Sequence, residues 1–183
     1  MDLMSNCMNE AGKDKILQED LDYIANSGMD FEKLKDSNVL ITGATGLIGV
    51  SLVRTLLCVN RVNKLNLRVF ALIRNREKAE AIYGDLLERK DLLLILGDVT
   101  EKLFMSQKVD YIFHCASITT SKIMVSNPVE TLLTSVDGTK YVLEFAKDNE
   151  CKSVVYVSSM EVYGSFAEAN RNVTENEWGY IDP

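Results

Sequence analysis

The sequence predicts a doubly wound α/β domain built on a parallel sheet, and three observations carry that prediction. Short apolar runs recur along the chain, stretches with helical spacing separate them, and a glycine-rich turn joins the first run to the first helix. The runs are NVLIT (38–42), LRVFALI (67–73), LLLIL (92–96), DYIFHCA (110–116) and SVVYVSS (153–159). They are rich in β-branched and aromatic residues and do not alternate strictly, as expected of strands buried on both faces.

Residues 1–37 begin polar and then turn helical, with LDYIANS carrying helix-spaced apolar residues and Asp30 placed to cap a short turn. We take 1–37 as an N-terminal helical extension and 38–183 as the domain proper. LIGVSLVRTLLCVN follows the first strand and REKAEAIYGDLLERK the second. NPVETLLTSVDGTKYVLEFAKDN links the fourth to the fifth. Pro128 can open that helix, because the first helical position tolerates a missing backbone N–H. Strands alternating with helices imply right-handed crossovers and therefore a parallel sheet.

A chain of 183 residues falls in the one-domain range, and 46% apolar content is enough for a core. Lys and Arg total 20 against 27 Asp and Glu, a formal charge of −7. A nucleic-acid backbone or an anionic membrane surface would be repelled by that balance, so neither is expected as a partner. No apolar run approaches the ~18 residues of a membrane-spanning helix. The N-terminus, MDLMSNCMNEAGKDK, lacks the apolar stretch of a secretory signal. Cys7, Cys58, Cys115 and Cys151 are scattered with no CxxC pair, which points to reduced thiols and not to a metal site. The single histidine, His114, lies in an apolar run and reads as a satisfied core residue. A cytoplasmic protein is expected.

The most informative segment is TGATGLIG, Thr42 to Gly49, which places Gly43, Gly46 and Gly49 directly after a strand and at the start of a helix. One glycine makes a turn of unusual φ, one lets the backbone approach a pyrophosphate, and one allows close helix-to-strand packing. The helix N-terminus then offers free N–H groups to the phosphates. This arrangement predicts dinucleotide binding; its plainer alternative is a tight strand-to-helix turn.

With GxxGxxG spacing, TGATGLIG resembles the extended short-chain dehydrogenase/reductase family of NAD-dependent sugar-nucleotide epimerases, dehydratases and decarboxylases, which share a Rossmann-type fold. GDVT (97–100), FHCAS (113–117), NPVETLLTSVDGT (127–139) and VVYVSSMEVYG (154–164) are similar to further motifs of that family at family-like intervals. The resemblance implies that Gly43, Thr45, Gly46, Leu47, Ile48 and Gly49 hold the cofactor from one side. Asp98 and Val99 then lie at the adenine, and Cys115, Ala116 and Ser117 beside the nicotinamide ribose. Asp98 could instead merely cap the turn after LLLIL.

The choice between NAD and NADP rests on the end of the second strand, where an acid holds a ribose 2′-hydroxyl and arginine suits a 2′-phosphate. The segment there is ALIRNREK, so Arg74 occupies the position with Arg76 close by. A planar guanidinium donates paired hydrogen bonds to phosphate, which leans toward NADP and leaves NAD open.

In the family a tyrosine of a YxxxK pair takes the sugar hydroxyl proton, the lysine lowers that tyrosine's pKa, and a Ser or Thr polarises the same oxygen. Ser159 matches the Ser/Thr position. Related dehydratases carry Asp-Glu next, whereas this chain has Met160-Glu161, and a thioether cannot donate a proton. Glu161 remains, as in UDP-glucuronate decarboxylases, and TENEWGYIDP (174–183) also looks like that group. Glu161 read without the resemblance is a surface or cap carboxylate. Ser135 stands where the family commonly has Asn.

None of the seven tyrosines has Lys four positions later, and the family's YxxxK would fall just past Pro183. The expectation is therefore an N-terminal fragment, with the substrate lobe absent and no activity alone. The leading function is a UDP-glucuronate decarboxylase-like lyase acting on a UDP-sugar. A 4-epimerase (an isomerase), an NADPH-dependent carbonyl reductase and a non-catalytic dinucleotide-binding module are the alternatives. A homodimer of the full-length protein through the 127–149 helix region is a further implication of the resemblance.

Overall fold

A computed structural model describes residues 9–166 and 172–180. Five strands form one parallel sheet: β1 (Asn38–Thr42), β2 (Arg68–Ile73), β3 (Leu92–Leu96), β4 (Tyr111–His114) and β5 (Ser153–Tyr156). Their order is β3-β2-β1-β4-β5, so the chain winds outward from β1 first one way and then the other. The helices are α1 (Lys15–Ala25), α2 (Leu47–Asn63), α3 (Arg76–Tyr83), α4 (Ser121–Ser126) and α5 (Pro128–Asp148). The expected doubly wound, Rossmann-type sheet is present.

The central strand shows why the runs lack alternation. Every residue of β1 is buried, and its side chains divide between two cores. Val39 and Ile41 pack with Val53 and Leu57 of α2 on one face, whereas Leu40 packs with Val142 and Phe145 of α5 on the other. Both faces are therefore dry at the centre of the sheet.

Helix ends follow local chemistry. The Asn75 side chain accepts from the Lys78 amide at 2.8 Å and starts α3, and Gly84 at φ 49° ends it. The predicted helix over 76–90 is thereby broken, its second half becoming a 3₁₀ turn at Gly84–Glu88. Pro128 takes the first turn of α5 as expected. The spacing did not reveal α4. The strands β4 and β5 end earlier than their apolar runs, at His114 and Tyr156, because the chain leaves the sheet there to form the site. Asp30 precedes a 3₁₀ turn at Phe31–Leu34 without a side-chain capping bond, pairing instead with Lys33 at 3.4 Å.

Residues 9–37 cross the outer side of α2. Leu21 and Ala25 join the core on that face. The fully buried Glu10 carboxylate accepts two hydrogen bonds from Arg61 at 2.9 Å and one from Arg89 at 2.7 Å. Arg89 in turn holds Asp91 just ahead of β3. At the other side of the sheet the Tyr111 hydroxyl donates to the Lys33 carbonyl at 3.0 Å. The segment thus straps α2 from the β3 side to the β4 side.

Candidate functional site

The strand order reverses between β1 and β4, and the crevice outside their carboxyl ends is where ligands bind in open α/β sheets. Two chain segments leave that point. The glycine turn runs from β1 into α2, and residues 115–120 run from β4 toward α4.

Gly43 has φ +63°, and a Cβ there would sit 2.7 Å from the Ala116 amide nitrogen. A Cβ on Gly49 would land on the Gly43 carbonyl oxygen, so α2 can start this close to the turn only with glycine. The Gly46 amide donates to the Gly43 carbonyl at 2.9 Å and closes the turn. From beneath, the buried Tyr83 hydroxyl of α3 donates to the Ala44 carbonyl; burial holds its pKa above the ordinary tyrosine value. The result is a cradle of bare backbone at a helix N-terminus, which fits a pyrophosphate. Leu47 is 88% exposed at its rim.

Thr42 locks the two segments together. Its buried Oγ1 accepts from the amides of Cys115 and Ala116, both at 3.2 Å, and lies 2.7 Å from His114 Nδ1. With its oxygen already accepting, the hydroxyl proton goes to Nδ1, which puts the imidazole hydrogen on Nε2. Burial depresses the His114 pKa, so the ring is neutral and structural, as its apolar run suggests.

Around this junction lies one cavity of about 680 Å³. Its lining includes Gly43, Thr45, Gly46, Leu47, Ile48, Gly49, Arg74, Asp98, Val99, Cys115, Ala116 and Ser117, every cofactor-contact candidate of the sequence. Lys78, Ile118, Thr119, Thr120, Ile123 and Thr134 also line it and were missed. The hydroxyl-rich ITTS run after the fourth strand was the available signal for three of them. Thr134 and Lys78 face the cavity only because of how their helices pack.

Asp98 accepts from the amide and hydroxyl of Thr100, both at 2.9 Å, and sits 3.6 Å from an Arg74 guanidinium nitrogen. Burial pushes its pKa up, but the Thr100 bonds and the Arg74 charge outweigh that and hold the carboxyl below its ordinary value. Gly138 of α5 lets that helix press against Val99, where a Cβ would come within 3.0 Å of the valine side chain. Burial raises the Cys115 thiol pKa, which keeps it protonated.

Ser159 and Glu161 lie apart from this cavity lining. Ser159 follows β5, beside β4 in the sheet, and its Oγ accepts from the Glu161 amide at 3.3 Å to cap a 3₁₀ turn at Met160–Tyr163. Both are exposed. The later segment folds back on this turn: the Gly179 amide donates to the Tyr163 carbonyl at 2.7 Å, and Ser165 and Tyr180 exchange bonds at 2.7 and 2.8 Å. The end of the TENEWGYIDP segment, residues 181–183, and Cys7 lie outside the described residues.

A model of the NAD dependent epimerase/dehydratase family matches residues 39–181. The chain is 32% identical to UDP-glucuronic acid decarboxylase 6 of Arabidopsis thaliana, over 79% of this chain and 39% of the relative. It is also 32% identical to the bifunctional UDP-glucose 4-epimerase and UDP-xylose 4-epimerase 3 of the same plant, over 70% of this chain and 38% of that one. Among solved structures, DesIV, a dTDP-glucose 4,6-dehydratase from Streptomyces venezuelae with NAD and TYD bound, superposes with a TM-score of 0.59 at 27% identity. That match covers 72% of this chain and 42% of DesIV. The chain thus spans well under half the length of these relatives.

Proposed function

This chain belongs to the NAD dependent epimerase/dehydratase family, and on that premise we propose that it is the dinucleotide-binding part of a nucleotide-sugar enzyme of the UDP-glucuronate decarboxylase kind. In this reading a UDP-linked uronic acid is oxidised at C4, loses carbon dioxide as a β-keto acid, and is reduced again as the keto-sugar. The observation that carries it is the side-chain-free cradle of Gly43, Gly46 and Gly49 opening into one cavity at the strand reversal. The strand next to β4 then brings Ser159, followed by Met160-Glu161.

In this reading the α2 N-terminus and its free amides hold the pyrophosphate. When bound, the nicotinamide would supply the acceptor and donor of the hydride. Ser159 Oγ accepts from the Glu161 amide, so its own hydrogen is left to donate to the sugar oxygen. As the C–C bond breaks, its electron pair moves onto the ketone oxygen, where that O–H stabilises the enolate. Glu161 would pass to the sugar carbon a proton taken from water, ending the step as the carboxylate it began as. Met160 has no acidic proton, which disfavours water loss from the sugar. A cytoplasmic location, and a homodimer formed through α5, belong to the same reading; Val129, Leu132 and Val136 are exposed on that helix.

The 4-epimerase reading is supported by the likeness to the plant epimerase, and it needs no acid at position 160. One assay separates them. Full-length protein with UDP-glucuronate and a trace of dinucleotide is expected to release carbon dioxide and a UDP-pentose without net reduction of the cofactor. Interconversion of UDP-glucose and UDP-galactose instead would favour the epimerase. Stoichiometric NADPH consumption with a simple ketone, and no response to UDP-sugars, would overturn both.

A further inference from the structure

Tyr83 ends α3 and is buried, and nothing in the glycine motif calls for it. Its hydroxyl donates to the carbonyl of Ala44, in the middle of the glycine turn and 39 positions earlier in the chain. Burial outweighs the pull of the nearby Arg54 charge and keeps that hydroxyl protonated, hence a donor. Arg54 of α2 also steadies the end of α3, its Nη2 donating to the Ile82 carbonyl at 3.0 Å. Ala44 is itself wholly buried, and its amide donates to the Leu72 carbonyl at 3.4 Å. The residue is thus tied on both sides, to β2 through its amide and to α3 through its carbonyl.

The peptide bond that follows is trans and planar, so the Thr45 N–H points opposite to the carbonyl that Tyr83 holds. Thr45 lines the cavity, and its amide has no hydrogen-bond partner among the described residues. Resting on the dinucleotide reading above, we infer that Tyr83 is a positioning residue: by holding the Ala44 carbonyl inward, it turns the Thr45 amide outward as a donor to the pyrophosphate. Without the hydroxyl the buried carbonyl loses its partner, and it regains one only by rotating toward the cavity. That rotation puts a carbonyl oxygen where the amide stood, so an attractive dipole facing the phosphates becomes a repulsive one. The effect is confined to the anionic part of the ligand and leaves the adenosine end untouched.

The test compares ADP-ribose, which carries the pyrophosphate, with adenosine, which does not, as ligands of purified full-length protein. Tyr83→Phe is expected to weaken ADP-ribose and NADH by about tenfold, the loss of one hydrogen bond to a charged group, and to leave adenosine unchanged. Tyr111→Phe, which removes a hydroxyl bond to the Lys33 carbonyl away from the cavity, should change none of the three. In native protein labelled with ¹⁵N-threonine, the Thr45 amide, assigned through Thr45→Ser, should move downfield with ADP-ribose and stay in place with adenosine. That measurement decides the matter if Tyr83→Phe does not fold. Native affinity for ADP-ribose in Tyr83→Phe, or an unmoved Thr45 amide, would overturn the role of Tyr83 and leave the dinucleotide reading intact. Equal losses for ADP-ribose and adenosine would also overturn it, reducing Tyr83 to a support of the fold. Binding of neither ADP-ribose nor NADH by native protein that melts cooperatively would overturn the reading beneath it as well.

Discussion

Thr42 holds the site's two loops in register through one oxygen, accepting from Cys115 and Ala116 and bonding His114. Replacing it by the near-isosteric valine keeps the packing and strands two partly buried amides and a buried imidazole nitrogen. Thr42→Val is expected to lower stability by about 2 kcal/mol, measured by urea unfolding, and to weaken dinucleotide binding as residues 115–117 loosen. Gly43, Gly46 and Gly49 were legible in the sequence through their spacing, and at Gly43 and Gly49 that spacing is set by sterics that no other residue meets. Thr42 was not singled out, since a threonine ending a strand looks ordinary until the partner strand is known. Lys78 escaped for the same kind of reason: which side of a helix meets a cavity is a matter of packing.

The strap formed by residues 9–37 is held to the domain by a buried ionic cluster. Burial raises the Glu10 pKa, but the hydrogen bonds and charge of Arg61, with Arg89, outweigh it and leave the carboxyl below its ordinary 4.5. Asp22 and Asp91 are likewise lowered below 3.8, burial opposing and their hydrogen bonds prevailing. Depressed carboxyl pKa values add stability that is complete above the unfolded values and is lost as pH falls through the folded ones. Unfolding midpoints in urea should therefore be flat near neutrality and fall steeply below about pH 4.5. Glu10→Ala should cost about 3 kcal/mol at neutral pH and remove part of that acid sensitivity. The low end of the range applies because Asp22 and Asp91 still hold the two guanidinium groups. A loss under 1 kcal/mol would show that the strap is not pinned there. Cys58, inside this cluster, is pushed up to about 12 by burial and by its bond to Asp22, and should resist alkylation until the protein unfolds. The helical character of this segment could be read from its spacing. Its ion pairs could not, because Glu10 lies 51 residues from Arg61 and 79 from Arg89 along the chain.

The whole sheet is asymmetric in its protection. β1 and β2 are almost wholly buried, whereas β5 has only β4 beside it among the described residues, with Val155 46% and Tyr156 54% exposed. An apolar, unpaired strand edge promotes pairing between chains. The 183-residue chain expressed by itself should therefore self-associate, and light scattering on dilution should reveal it; a stable monomer at high concentration would contradict this account of the edge. The parallel α/β architecture was readable throughout, since fully buried strands alternating with helices leave few other folds. The reaction was less readable. In the proposed reading the cofactor contacts come from residues local to turns, whereas chemistry at Ser159 and Glu161 would depend on groups that a sugar must bring together. The most direct test of the account is a crystal structure of the full-length protein with dinucleotide and UDP bound. The account predicts the pyrophosphate on the amides of Gly46 to Ile48 and the nicotinamide end directed past Ala116 and Ser117 toward Ser159. A dinucleotide seated away from the Gly43–Gly49 turn would contradict it.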